Sequence, residues 1–226
     1  MFIKNLKLFN FKNHSEKSFD FSPEINCFVG NNGAGKTNIL DALHYLSMAK
    51  SFLGNLDAQN ILHESDFFAI EAEIQGEEKN DIIKVQLPKE GKKIIKKNDK
   101  TYERIADHIG FLPSVMISPY DSNLISDGSE SRRKFLDAMI SQTDSDYLFA
   151  LIQYQKTLQQ RNALLKYFAK NRTFDLDSLE IYNDPLNKFG TQIFEKRQRF
   201  VASILPTIQH FYEIISKGNE KVTVIY

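Results

Sequence analysis

Eight residues, Gly30-Asn31-Asn32-Gly33-Ala34-Gly35-Lys36-Thr37, constrain this chain more than any other stretch. They fit the pattern G-x-x-x-x-G-K-[ST], in which a glycine-rich turn joins a buried strand to the first turn of a helix. The flanks match that context. "INCFV", residues 25–29, is an apolar run of the kind expected for a strand buried on both faces. After the turn, Ile39, Leu43 and Leu46 recur at helical spacing. Glycines let successive N–H groups converge on phosphate oxygens, and the helix N-terminus adds a partial positive charge. Lys36 would then bridge the outer phosphates as a point charge, and Thr37 would offer its hydroxyl to Mg²⁺. Gly30 to Thr37 is therefore a candidate site for ATP with Mg²⁺.

Around this loop the period of the apolar residues changes twice. In residues 2–11, Leu6 and Leu8 alternate with Lys7, and "EKSFDF" repeats the alternation, so an antiparallel hairpin around "KNHS" is expected. Residues 67–118 read as short strands, "FFAIEAEI", "DIIKVQL", "KKIIKKN" and "SVMIS", punctuated by Gly76, Pro88, Gly91 and Asn98-Asp99. Beyond Ser129 the spacing is helical: Phe135 and Met139, then Leu148 to Leu158, then Leu186 to Ile204. Pro206 is expected to kink or break the last helix, Gly218 to stop it, and "KVTVIY" to begin a further strand. The domain reading is a nucleotide-binding core with a β-subdomain over 1–128, a helical lobe over 129–218, and a truncated returning strand over 219–226.

Composition narrows the partners. The 29 basic and 29 acidic side chains cancel, so a nucleic-acid contact must come from a local patch. The single cysteine, Cys27, excludes an internal disulfide and a cysteine-rich zinc site, and fits a reducing, cytoplasmic setting. "MFIKNLKLFNF" has no apolar core of signal-peptide type, and no stretch approaches the roughly 18 apolar residues of a membrane span. Hydrolysis of a triphosphate needs a carboxylate at the tip of a second buried strand, and no run of four apolar residues followed by Asp or Glu is present. Asp137 lies in a helical pattern and Asp121 in a turn. The five histidines, His14, His44, His63, His108 and His210, show no metal-ligand spacing and read as surface or packing residues. The chain by itself is thus expected to bind ATP without turning it over.

Two amphipathic strands before the loop are unlike nucleotide kinases and small GTPases. This order resembles the ATPase heads of the SMC and ABC superfamily. Within it, "LKLFNFKNH", "VGNNGAGKTNILDAL", "AKSF", "ISPYDSNLISDGSESRRKFLD" and "YQKTLQQRNALL" together resemble the RecF family of bacterial recombinational repair proteins. The resemblance runs in order through most of residues 2–170. It implies an α/β phosphate-loop ATPase of the ABC/SMC head type, with a mixed sheet, an antiparallel β-subdomain and a helical lobe, whose C-terminal third is absent from the chain. It further implies that Gly30, Asn31, Asn32, Gly33, Ala34, Gly35, Lys36 and Thr37 hold the nucleotide, that Asn38 supports the loop, and that Lys12 and Asn13 lie near it. For the intact protein it implies an ATP-dependent head-to-head dimer and slow hydrolysis. It also implies engagement of DNA at single-strand gaps or duplex junctions, and action with RecR and RecO to load recombinase. There are two departures. Leu53 stands where the family usually has an arginine after "SF", and Tyr120 stands in the "SPED" turn, which keeps Asp121. A different SMC-like head would require coiled-coil heptads leaving the helical lobe, and no sustained run of them appears.

Two basic patches are candidates for DNA or a partner. Lys92, Lys93, Lys96 and Lys97, flanked by Lys89 and Lys100, fall on one expected hairpin and could touch phosphates. Equally, lysines line solvated strand faces and protect sheet edges. Arg132 and Arg133 could reach phosphate or a second subunit, or simply face solvent.

Overall fold

A computed structural model describes residues 1–54, 56–224 and 226. They divide into two compact units, Met1–Ser122 and Asn123–Tyr226.

The first unit is built on a six-stranded antiparallel sheet: β1 (Phe2–Phe11), β2 (His14–Asp20), β3 (Phe67–Gln75), β4 (Asn80–Pro88), β5 (Ile94–Lys97) and β6 (Lys100–Thr101), in spatial order β2-β1-β3-β4-β5-β6. Strict alternation sets one apolar face. Leu6 and Leu8 are fully buried while Lys7 between them is exposed, and β3 and β4 bury Phe68, Ile70, Ala72, Ile83 and Val85 in the same way. Helix α1 (Lys36–Met48) lays Ile39, Ala42, Tyr45 and Leu46 on this face. Phe11, Tyr45 and Phe68 interlock edge to face at centroid separations of 5.2–6.1 Å.

Two runs expected as strands, "INCFV" as one buried on both faces and "SVMIS" as a short one, are not strands. Among the described residues, 25–29 and 114–118 are assigned to no strand, and Ile25 is 84%, Val29 92%, Val115 68% and Ile117 82% exposed. An apolar run forms a strand only where neighbouring strands pair with its N–H and C=O groups, and neither segment is among the six strands of the described sheet. Phe28 packs edge to face against Phe19 and Phe21, and Asn26 is tied to Ser22 by hydrogen bonds of 2.8 and 2.9 Å.

The second unit is helical: α2 (Asn123–Ser126), α3 (Ser129–Ser141), α4 (Ser145–Asn171) and α5 (Leu176–Ser216). Asp144 and Asp175 cap α4 and α5, accepting the N–H groups of Tyr147 and Asp177. Ile140, Tyr147, Ala150 and Ile193 form the core, with Leu136, Leu151, Tyr154, Phe189 and Phe200 packed around them. Gly190 permits a close crossing, since a Cβ there would lie 3.3 Å from the Tyr154 ring. At the centre Arg197 donates to Asp137 (2.7 and 2.9 Å) and to the Tyr147 hydroxyl (2.9 Å), and Tyr147 donates to Asp137. Burial, then the bond to Asp137, pushes the Tyr147 phenol well above its ordinary range.

Pro206 does not break α5, which runs unbroken through both Pro185 and Pro206. A proline removes one backbone N–H and leaves the remaining helical bonds in place, although Phe211, Ile214 and Ile215 beyond Pro206 are exposed. The expected stop at Gly218 is present: Gly218 adopts φ 75°, and its N–H reaches back to the Glu213 carbonyl at 2.9 Å. Ile225 of "KVTVIY" lies outside the described residues, and the described ones around it form no strand. No described helix is long and apolar enough to cross a membrane.

Candidate nucleotide site

The loop enters α1 through Gly35, whose φ of 90° is left-handed, as is the 83° of Gly33. Side chains disfavour both angles. Gly35 is also sterically closed, because a Cβ would fall 2.5 Å from Asn13 Oδ1 and 2.6 Å from His14 Nε2. No side chain caps the N-terminus of α1 and no acid sits in its first turn. The first N–H groups of any helix lack intrahelical partners, so this end of α1 is a ready anion site.

Lys36 sits within the loop it belongs to, its ammonium donating to the carbonyls of Gly30 (2.7 Å) and Asn31 (2.8 Å). Phosphate oxygens at the helix N-terminus would offer the same donors stronger, charged acceptors. Thr37 is exposed beside it. The loop is closed from within by the Ala34 N–H on the Asn31 carbonyl, at 3.3 Å.

The β1–β2 turn supports the loop from below. Asn13 donates to the Gly33 carbonyl (3.3 Å) and accepts from Asn38 (2.8 Å), while His14 Nε2 lies 3.2 Å from the Gly35 carbonyl. Asn13 meets the loop backbone directly, and Asn38 meets Asn13. Lys12, in a left-handed conformation, turns instead to α1: its Nζ lies 2.6 Å from Asp41 Oδ2, with both side chains buried. Asp41 also accepts from Ser51 Oγ (2.8 Å) and the Phe52 N–H (2.7 Å), tying "SF" to the helix.

His14 and Asp41 were not legible as site residues. His14 follows Asn13 in a hairpin turn, and Asp41 lies one helical turn after Thr37, but their partners are distant in sequence. The far end of α1 is held as firmly. His108 Nε2 donates to the Leu46 carbonyl (2.6 Å) and Lys93 to that of Ala49 (2.5 Å). Both satisfy carbonyls that a helix C-terminus leaves open. Burial, followed by the nearby Lys97 charge, holds His108 below the ordinary imidazole range against the opposing pull of the Leu46 carbonyl.

The lysine cluster separates into two groups. Lys93 also pairs with Asp57 (2.7 Å), and Lys97 pairs with Asp81 (3.2 Å) and lies 3.7 Å over the Phe111 ring. Lys92 is exposed and Lys96 half-buried, opposite Lys84. Arg132 clasps the carbonyls of Leu124 and Asp127, each at 3.0 Å, and Arg133 donates to Ser129 at 2.7 Å. Asp121 closes the "SPYD" turn by accepting from the Ser118 N–H and hydroxyl, while Tyr120 is 71% exposed.

Known proteins resemble this chain in sequence and fold. The family described as "AAA domain" matches residues 5–209. The DNA replication and repair protein RecF of Flavobacterium johnsoniae is 52% identical over 226 residues, covering 100% of this chain and 63% of that protein. Its counterpart in Phocaeicola vulgatus is 45% identical over 229 residues, covering 100% and 60%. A solved structure described as the recombination mediator protein RecF with ATP in the RecFOR pathway superposes with a TM-score of 0.93 at 32% identity, covering 100% of this chain and 60% of that one. The chain thus spans about 60% of the length of the relatives it matches.

Proposed function

Because the chain belongs to the AAA domain family and corresponds to the N-terminal portion of RecF proteins, we propose that it supplies the ATP-binding half-site of a DNA replication and repair ATPase. ATP binding is the part most directly supported, by the phosphate loop at the uncapped end of α1 and the close match to an ATP-bound relative. The triphosphate would lie along Gly30 to Thr37, with Lys36 leaving the carbonyls of Gly30 and Asn31 for phosphate oxygens. Thr37 would give one hydroxyl ligand to Mg²⁺. Among the described residues no cluster of three His, Cys, Asp or Glu side chains is placed to hold a metal, so phosphate and water would complete its coordination. The ion would neutralise phosphate charge.

In this reading the 226 residues bind nucleotide without turning it over. The intact protein would be a slow ATPase in the cytoplasm that dimerises head to head on ATP and binds DNA at single-strand gaps. It would act with RecR and RecO to load recombinase. The observation carrying the proposal is the loop geometry at Gly33, Gly35 and Lys36. Titrating MgATP into the parent and into Lys36→Ala tests it: saturable binding by the parent and a loss of at least roughly tenfold in the variant are expected, on the scale of a lost charge-assisted contact. Equal affinities would exclude the loop.

A further inference from the structure

Asn13 and His14 touch the loop's backbone at alternate carbonyls, Gly33 and Gly35. A peptide unit is planar and trans, so its C=O and the following N–H point in opposite directions. Drawing the carbonyls of Gly33 and Gly35 toward the β1–β2 turn therefore directs the N–H groups of Ala34 and Lys36 away from it. The Ala34 N–H closes the loop on Asn31. The Lys36 N–H is left at the open end of α1, where an anion would sit.

The chemistry of each contact has only one assignment. A carbonyl can only accept, so His14 Nε2 must carry the proton in this bond. His14 is only 5% exposed, is set edge to face against Phe19, and cannot readily swing to solvent. The Asn13 amide is oriented by Asn38, which donates to its oxygen and leaves its nitrogen for Gly33. The Gly35 carbonyl also receives the N–H groups of Asn38 (2.9 Å) and Ile39 (3.1 Å). His14 thus adds to it a donor from outside the helix, and so fixes the loop to the sheet.

We propose that His14 is a positioning residue for nucleotide binding: its Nε2–H, together with the Asn13 amide, holds the Gly33-to-Lys36 backbone in its anion-binding shape before the phosphates arrive. This rests on the nucleotide reading above. It also assigns Asn13 to bracing the loop and not to contacting the nucleotide. A preformed site avoids the ordering cost of shaping the loop on binding, so loss of the brace should weaken affinity while leaving the sheet intact.

The test is MgATP titration of four variants beside the parent, with thermal unfolding of each nucleotide-free chain. His14→Leu should bind roughly tenfold more weakly, the order expected for one hydrogen bond. His14→Gln, whose amide nitrogen can donate in place of Nε2, should recover affinity to within about threefold, and neither should shift the unfolding midpoint. A merely space-filling role would not distinguish Leu from Gln. Should His14→Leu fold poorly, Asn13→Ala carries the test with the same expected drop. Parental affinity in whichever of these two variants folds overturns the proposal. Lys36→Ala is the control for the underlying reading: a loss there with parental binding by His14→Leu sinks the brace alone, whereas parental binding by Lys36→Ala sinks the nucleotide site and the brace with it.

Discussion

In the first unit the buried Lys12 ammonium lies 2.6 Å from one carboxylate, Asp41, and makes no hydrogen bond of ordinary geometry. In the second, the Arg197 guanidinium spreads its donors over Asp137, Tyr147 and Tyr226. Burial of charge costs least where every donor finds an acceptor, so the helical unit carries the better satisfied network. That network joins α3, α4 and α5; burial pulls the Arg197 pKa down, but the bonds to Tyr226, Tyr147 and Asp137 outweigh it and leave Arg197 more basic than usual. The Lys12–Asp41 pair joins the β1–β2 turn to the helix that follows the phosphate loop, and Asp41 holds residues 51–52 as well. One unit uses its buried charges to lock helices together. The other uses them to hold a loop at a fixed place above a sheet.

The largest expected effect comes from removing one member of the less satisfied pair. Lys12→Met leaves Asp41 buried without its counter-ion and should lower stability by about 3 kcal/mol. Hydrogen exchange should show the loss in residues 1–122 and not in α4; loss spread evenly over both units would break the contrast. Tyr147→Phe removes a hydroxyl from a network that keeps its Arg197–Asp137 bonds, and about 1 kcal/mol is expected from a shift in the urea midpoint. A larger loss than that of Lys12→Met would invert the comparison.

A pH effect should be smaller and confined to the first unit. His108 and His44 are both held below the ordinary imidazole value, in each case chiefly by burial. The unfolded chain therefore takes up protons first, so stability is complete above the unfolded value of about 6.5 and falls as pH drops below it. Thermal unfolding between pH 7.5 and 5 should show this decline. His108→Gln should flatten it, with His44 retaining the remainder, and an unchanged slope would remove His108 from the account. The smallest effect concerns the lysine patch. Lys92→Gln with Lys96→Gln should reduce the salt dependence of duplex binding measured between 50 and 200 mM salt, each lost phosphate contact lowering the slope by about one. Lys97→Gln should not, because its ammonium is already committed to Asp81 and Phe111.

What could be read in advance was local. Alternation at Leu6-Lys7-Leu8 fixed a strand, the spacing of Ile39, Leu43 and Leu46 fixed a helix, and the loop announced itself by glycines at the positions that adopt left-handed angles. What could not be read depends on partners far along the chain. "INCFV" and "SVMIS" have strand composition, but pairing decides a strand. Nothing in "FKNH" reveals that Lys12 turns to Asp41 while His14 turns to Gly35. The lysines of "KEGKKIIKKNDK" look equivalent in sequence, yet β5 alternation sends Lys97 toward Phe111 and Lys96 to the other face. Pro206 was misleading as a break, since α5 runs on through it.

Hydrogen exchange with and without MgATP examines the central claim directly, because the loop and its brace belong to one unit and the helical network to the other. Binding at the phosphate loop predicts new protection in residues 30–38 and, through Asn13 and His14, in residues 11–14, with α4 unchanged. Protection confined to α4 and α5, or absent from 30–38 at saturating MgATP, would contradict it.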